Sequence, residues 1–135
     1  MGRIAAIDFG EKRIGLAYTD INRKMALPVG VIEGGKKAIQ NIKAALPIKE
    51  IDLFLIGLPL EMSGKRGVMA IKVEEFAKMV ENAFEIPVQL VDERLSSKGA
   101  DVQLRELSLN RKERTKKTDM IAATLLLQSY LSKHP

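Results

Sequence analysis

Three acidic residues are the leading candidates for catalysis because each lies near the end of a predicted strand or helix. Asp8 interrupts the apolar segment 4–9 just before Gly10, Glu93 follows the apolar segment 88–91, and Asp119 lies in the first turn of the last predicted helix. Ligands of α/β sheets collect beyond the carboxyl ends of strands. Singly, an aspartate before a turn is usually a turn former, and an acid at a helix start stabilises the helix dipole. Three acids brought together would repel one another unless a cation neutralised them.

A divalent metal ion is the cation that fits this set of ligands. Carboxylate oxygens suit Mg²⁺ or Mn²⁺, and a pair of ions about 3.5–4 Å apart activates water and neutralises a phosphate during phosphodiester hydrolysis. The chain has no cysteine, and its single histidine, His134, is the penultimate residue, so thiolate and multi-histidine chemistry are excluded. We therefore predict hydrolysis of phosphodiester bonds with Asp8, Glu93 and Asp119 as both metal ligands and catalytic residues.

The basic residues favour a polyanionic partner. The 22 Lys and Arg outnumber the 17 Asp and Glu, and the isoelectric point is about 9.5. Six basic residues lie between Arg105 and Lys117, and 110–117 contains no apolar residue, which predicts a mobile substrate-binding arm. The alternative is an ordinary solvated loop.

Basic residues also lie near the predicted acidic cluster. Lys65 and Arg66 lie within a loop that contains glycines (58–67) and make it a candidate phosphate clamp, although the glycines would equally serve turn geometry alone. Lys12 and Arg13 lie in the turn after Asp8. The residues predicted to bind nucleic acid are Lys12, Arg13, Lys65, Arg66, Arg94, Arg111, Lys112, Arg114, Lys116 and Lys117.

The apolar patterns predict the elements that must position these residues. Strands are predicted at 4–9, 13–19, 25–32, 53–57 and 88–91, with the third at an edge or bulged because Pro28 cannot donate to a ladder. Helices are predicted at 36–46 and 69–84, from Ser96 or Ser97 to about Leu107, and from about 118 to 132. Hairpins followed by strand–helix units imply an α/β fold, with a five-stranded mixed sheet flanked by helices on both faces.

Length and hydropathy limit the organisation of the chain. The 135 residues suffice for a single domain, predicted over 1–135. The longest apolar stretch, 53–60, is interrupted by Gly57 and Pro59, and the first residues carry no secretory pattern. We expect a cytoplasmic protein without membrane association.

Four motifs together resemble one family along nearly the whole chain. They are IDFG at 7–10 with KRIGLA at 12–17, GLPL at 57–60 with Met62, Gly64 and Gly67, DERLSS at 92–97, and Asp119 with Ala122, Ala123 and LQSYL at 127–131. The chain resembles the YqgF family, described as Holliday-junction-resolvase-like proteins and as nucleases that mature the 5′ end of pre-16S rRNA. The resemblance implies an RNase H-like fold with metal-binding carboxylates at Asp8, Glu93 and Asp119. Ser96 and Ser97 stand where the family usually has threonines.

Several functions remain open from the sequence. Asp8, Gly10 and Gly15 also resemble the phosphate-binding hairpin of actin-like and sugar-kinase nucleotide-binding modules, but those close two domains around ATP. A nucleic-acid-binding factor without catalytic activity is a second alternative. Within the nuclease hypothesis, precursor rRNA is favoured over a branched DNA junction by the family's description alone. A junction resolvase would be expected to act as a homodimer, because it cuts two strands.

Overall fold

A computed structural model describes residues 2–59, 64–92 and 111–134, with 111–120 described as backbone only. The strands are β1 (Arg3–Asp8), β2 (Arg13–Thr19), β3 (Ala26–Glu33), β4 (Ile51–Leu58) and β5 (Val88–Asp92). The helices are α1 (Ala38–Ala45), α2 (Val68–Phe84) and α3 (Arg111–Lys133), with short 3-10 helices at Gly35–Lys37 and Ile48–Glu50.

The described strands form one mixed sheet in the order β3-β2-β1-β4-β5. The hairpin-linked strands β1, β2 and β3 are antiparallel, whereas β4 is parallel to both β1 and β5. The carboxyl ends of β1, β4 and β5 therefore lie at one edge, together with the start of β2 and the end of β3. We call this the Asp8 edge, because Asp8 is the last residue of β1.

Helices cover both faces of the sheet, as the sequence predicts. On one face, Val73, Phe76 and Val80 of α2 pack with Ile42 of α1 and Phe54 of β4 in a buried cluster. On the other face, the α3 face, buried residues of α3 pack against β1, β2 and β4; the cluster comprises Ile4, Ala6, Ala17, Leu55, Ala123, Leu126 and Leu127. The side chains of a strand alternate between faces. In β1, the odd-numbered residues therefore face α1 and α2, and the even-numbered residues face α3.

The third strand confirms the expectation drawn from Pro28. β3 is an outermost strand of the described sheet, paired only with β2, and its register with β2 shifts between Leu16 and Ala17. Gly30, beside this irregularity, has a φ of +151°, a backbone conformation that favours glycine.

One helix boundary predicted from the sequence is wrong. α3 begins at Arg111, seven residues before the predicted start at 118, so the segment 111–117 is helical rather than a loop, and its role as a mobile substrate-binding arm stays a prediction. The segment contains no glycine or proline, and Lys, Arg and Glu are good helix formers. The opposite charges of residues 113 and 117 also have the i, i+4 spacing that favours a helix. The predicted helix 96–107 and the start of the basic stretch, 105–110, lie outside the described residues.

No helix within the described residues is long and apolar enough to cross a membrane.

Candidate active site

Asp8 is half-buried at the end of β1 and belongs to the α3 face of the sheet. Ile4 and Ala6 pack into the cluster beneath α3, and Asp8 continues their alternation. Its register partner on β2 is Gly15, which is buried and contributes no side chain. A carboxylate thus terminates the otherwise apolar α3 face of the first strand.

The end of β5 reaches the same edge as Asp8. Leu58 of β4 pairs with Asp92 of β5, and β4 separates β5 from β1 by two strand spacings, roughly 10 Å. Asp92 is exposed and continues the alternation of Val88 and Leu90, which pack on the face opposite α3. Glu93 is the next residue along the chain and lies outside the described residues.

The direction of α3 brings its first half toward the Asp8 edge. Gln128 and Leu131 line a cavity with Lys24 and Ala26, at the opposite edge of the sheet where β3 begins. The helix therefore runs against the direction of β1. Position 119 is one helical turn before Ala123, which packs beside Ala6 and Ala17, so the backbone at 119 lies on the side of Ala123 nearer the Asp8 edge.

Long-range contacts hold the turn that follows Asp8. The rings of Phe9 and Phe76 lie 4.5 Å apart between centroids, and Glu11 forms an ion pair with Lys72 of α2. The hydrogen bond and charge of Lys72 lower the pKa of Glu11 below its ordinary value. Sequence reasoning missed both contacts, because partners more than 60 residues apart leave no local signal.

The predicted nucleic-acid-binding residues have different surroundings in the structure. Lys12 is exposed in the turn before β2, and Arg13 begins β2 opposite Glu33 of β3. Lys65 is exposed, whereas Arg66 pairs with Glu74 of α2 at 2.7 Å between Nη2 and Oε1. A phosphate would therefore have to compete with Glu74 for Arg66. Arg94 lies outside the described residues, and the backbone of Arg111, Lys112, Arg114, Lys116 and Lys117 belongs to the first two turns of α3.

Within the described side chains, no three acidic or histidine residues come together as a metal site. Of the predicted trio only Asp8 has its side chain in that part of the chain. The convergence of Asp8, Glu93 and Asp119 therefore stays a prediction.

A family model described as RuvX, Holliday junction resolvase, matches residues 2–133. The chain belongs to the RuvX family. This is the YqgF family, so the resemblance predicted from the four motifs is confirmed.

RuvX relatives match the chain over almost its full length. Proteins named "Putative pre-16S rRNA nuclease" from Protochlamydia amoebophila and Syntrophomonas wolfei are 41% and 40% identical to it. Each alignment covers 96% of this chain, and 92% and 93% of the respective relatives. A protein of the same name from Clostridioides difficile is 39% identical, over 96% of this chain and 94% of its own length.

Solved structures share the fold of this RuvX chain. The Fowlpox virus resolvase in complex with Holliday junction DNA superposes with a TM-score of 0.58 at 15% identity, over 98% of both chains. RuvC of T. thermophilus with a Holliday junction substrate gives 0.57 at 16% identity, over 99% of this chain and 96% of its own. The fold is RNase H-like, as the resemblance to the YqgF family implies.

Proposed function

We propose that this chain is a divalent-metal-dependent endonuclease whose metal ligands are Asp8, Glu93 and Asp119. The observation that carries the proposal is the position of Asp8 on the α3 face at the edge where β1, β4 and β5 all end. A half-buried carboxylate at that position would supply the first ligand of a metal ion that Glu93 and Asp119 would also bind. Membership of a family of resolvases and named nucleases supports the same chemistry.

The periodicity of the neighbouring elements supports the remaining ligands. Val91 packs with the cluster under α3, so a strand continued by two residues would present Glu93 to the face that carries Asp8. Asp119 precedes Ala123 by four residues and therefore belongs to the same stripe of α3. Spacing along the chain thus predicts that Glu93 and Asp119 lie on the same face of the sheet as Asp8.

The donor set fits a hard divalent cation. Carboxylate oxygens are the preferred ligands of Mg²⁺ and Mn²⁺, and the described part of the chain offers no histidine near Asp8 and no thiolate. Such an ion, when bound, would polarise the phosphate and lower the pKa of the attacking water. The carboxylates would orient that ion, while Lys12, Arg13, Lys65 and the basic first turns of α3 would hold the phosphate backbone on either side.

Precursor 16S rRNA is the proposed substrate, cleaved at its 5′ end. Relatives named "Putative pre-16S rRNA nuclease" are about 40% identical to this chain, over more than nine-tenths of both chains. The second candidate is the Holliday junction, favoured by the family's description and by the likeness in fold to resolvases seen with junction DNA. Action on rRNA would take place in the cytoplasm, and a resolvase would require a homodimer.

A direct comparison of the two substrates tests the proposal. The purified chain is incubated with Mg²⁺ or Mn²⁺ and equal concentrations of a 5′-extended 16S rRNA fragment and a four-way DNA junction. We expect cleavage of the RNA at a defined position, and none after addition of EDTA. Preferential cutting of the junction would establish the alternative, and cleavage of neither would leave a binding factor without catalytic activity.

A further inference from the structure

A groove lies at the Asp8 edge beside β2 and β3, the strands farthest from β4 and β5. This groove has a volume of about 540 Å³ and is lined by residues 11–13 and 31–34. The first wall begins three residues after Asp8, and the second is the carboxyl end of β3 together with Gly34. Its volume falls within the roughly 300–1,000 Å³ of small-ligand sites.

The walls of the groove are joined by close backbone contacts. A Cβ atom on Gly34 would lie 2.8 Å from the carbonyl oxygen of Glu11, and one on Gly10 would lie 2.4 Å from that of Arg13. The N–H of Gly34 also donates to the carbonyl oxygen of Lys12 at 2.9 Å. The contacts of Gly34 with Glu11 and Lys12 therefore hold the two walls of the groove against each other at its base.

The lining combines aliphatic and cationic side chains. Val31 and Ile32 are half-buried, whereas Lys12 is exposed and forms no ion pair within the described part of the chain. The charge of Glu11 is offset by Lys72, which leaves Glu33 as the opposing carboxylate. Lys36 and Lys37 follow directly in the 3-10 helix. An apolar surface beside several cations suits a nucleotide, because the faces of its base are apolar and its phosphate is anionic.

The sheet register sets the distance between the groove and Asp8. Asp8 pairs with Gly15, and Gly15 pairs with Val31, so two strand spacings of roughly 10 Å separate their backbones. A stacked nucleic-acid strand advances about 3.4 Å per nucleotide. We infer that this groove binds a nucleotide of the substrate strand about three positions from the scissile phosphate. The inference rests on the proposed nuclease function.

The test measures how affinity grows with the length of the substrate. Single-stranded RNA oligonucleotides end one to five nucleotides from the mature 5′ end of 16S rRNA, the proposed cleavage position, on either side, and binding to the full chain is followed by fluorescence anisotropy in EDTA. We expect the affinity of the unmodified protein to rise by about fivefold when the strand reaches the third nucleotide on one side only, the effect of one charge-assisted contact. The Lys12→Gln variant should lose this gain.

A second substitution and two matched controls separate the groove from general charge. Val31→Glu adds a carboxylate inside the groove and should also abolish the gain. Lys24→Gln and Met25→Glu make the same charge changes in the turn between β2 and β3, at the opposite edge of the sheet, and should retain it. Folding of each variant is checked by thermal unfolding.

The outcomes of these two sets of measurements are distinguishable. If Lys12→Gln and Val31→Glu keep the gain, or if the controls lose it equally, the inference is overturned. Cleavage by a protein that shows no length-dependent gain overturns the groove alone. A gain that depends on the groove in a protein that cleaves nothing supports the groove as a binding site and overturns the proposed function.

Discussion

Asp8 illustrates how the role open to a carboxylate depends on the face of the sheet that it occupies. It ends a strand whose other side chains on the same face are buried, and it lies opposite a glycine. Asp92 lies at the same edge but continues the face packed against α2. Two acids at one edge of the sheet thus face different layers, and only Asp8 lies on the face that α3 covers.

Replacement of Asp8 by Asn should abolish cleavage while retaining the fold. The substitution removes a charge but keeps the shape, and losing about 3 kcal/mol of transition-state stabilisation lowers the rate by at least about 100-fold. Affinity for nucleic acid should stay the same or increase, because a repulsive charge is removed. Cleavage rates with Mg²⁺ or Mn²⁺ and anisotropy titrations measure both effects. Asp92→Asn is the matched control, and near-normal cleavage by Asp8→Asn would exclude Asp8 as a ligand.

The pair formed by Glu11 and Lys72 gives a second prediction for a single residue. Lys72→Met should raise the pKa of Glu11 toward its ordinary value, because Lys72 is the main cause of the lowered pKa. The contribution of the pair to stability is complete above the ordinary pKa of Glu11 and is lost as the pH falls through the lowered pKa. An NMR titration of the Glu11 carboxyl carbon measures the shift. An identical titration in the variant would mean that the pair does not form in solution.

At the level of elements, α3 begins well before the residues known to pack against the sheet. Ala122 and Ala123 are buried, and the backbone of the helix starts at Arg111, about 16 Å before Ala122 along the axis. The backbone of the basic residues at 111–117 therefore belongs to the same helix as Asp119. Substrate bound by these positions would be held in a fixed relation to the Asp8 edge.

Neutralising Arg111, Lys112, Arg114 and Lys116 should weaken binding of every nucleic-acid sequence. Each lost phosphate contact should reduce the slope of log affinity against log salt by roughly 0.7–0.9. The control neutralises Lys43, Lys49, Lys78 and Lys133, which lie outside the helix start and the groove. Lys36 and Lys37 are unsuitable as controls because they adjoin the groove. Equal changes in both sets would reduce the role of α3 to net charge alone.

For the whole molecule, the proposed metal site would join elements that are distant in sequence. Its ligands come from the end of β1, the residue after β5 and the first half of α3. A ligand that binds only the folded state stabilises it according to its concentration relative to Kd. Metal binding would thus be coupled to the stability of the entire sheet and of α3.

Mg²⁺ or Mn²⁺ should therefore raise the melting temperature of the unmodified protein. Above Kd, each tenfold increase in metal adds about 1.4 kcal/mol to the free energy of unfolding. Differential scanning calorimetry over a metal series, with Ca²⁺-free buffer and ionic strength held constant, measures the increase. The Asp8→Asn variant should show a smaller rise, and an equal rise in both proteins would argue against a site at Asp8.

The sequence by itself determined the local elements and the identity of the family. Alternation over 13–19 and the three- and four-residue spacing over 69–84 predicted β2 and α2 closely, because both patterns reflect burial of one face. Tertiary structure decided the order of the strands, with β4 between β1 and β5, and the face on which Asp8 lies. It also decided the pairing of Glu11 with Lys72 and the groove between 11–13 and 31–34. These features depend on contacts between segments far apart in the chain, which no local pattern of residues records.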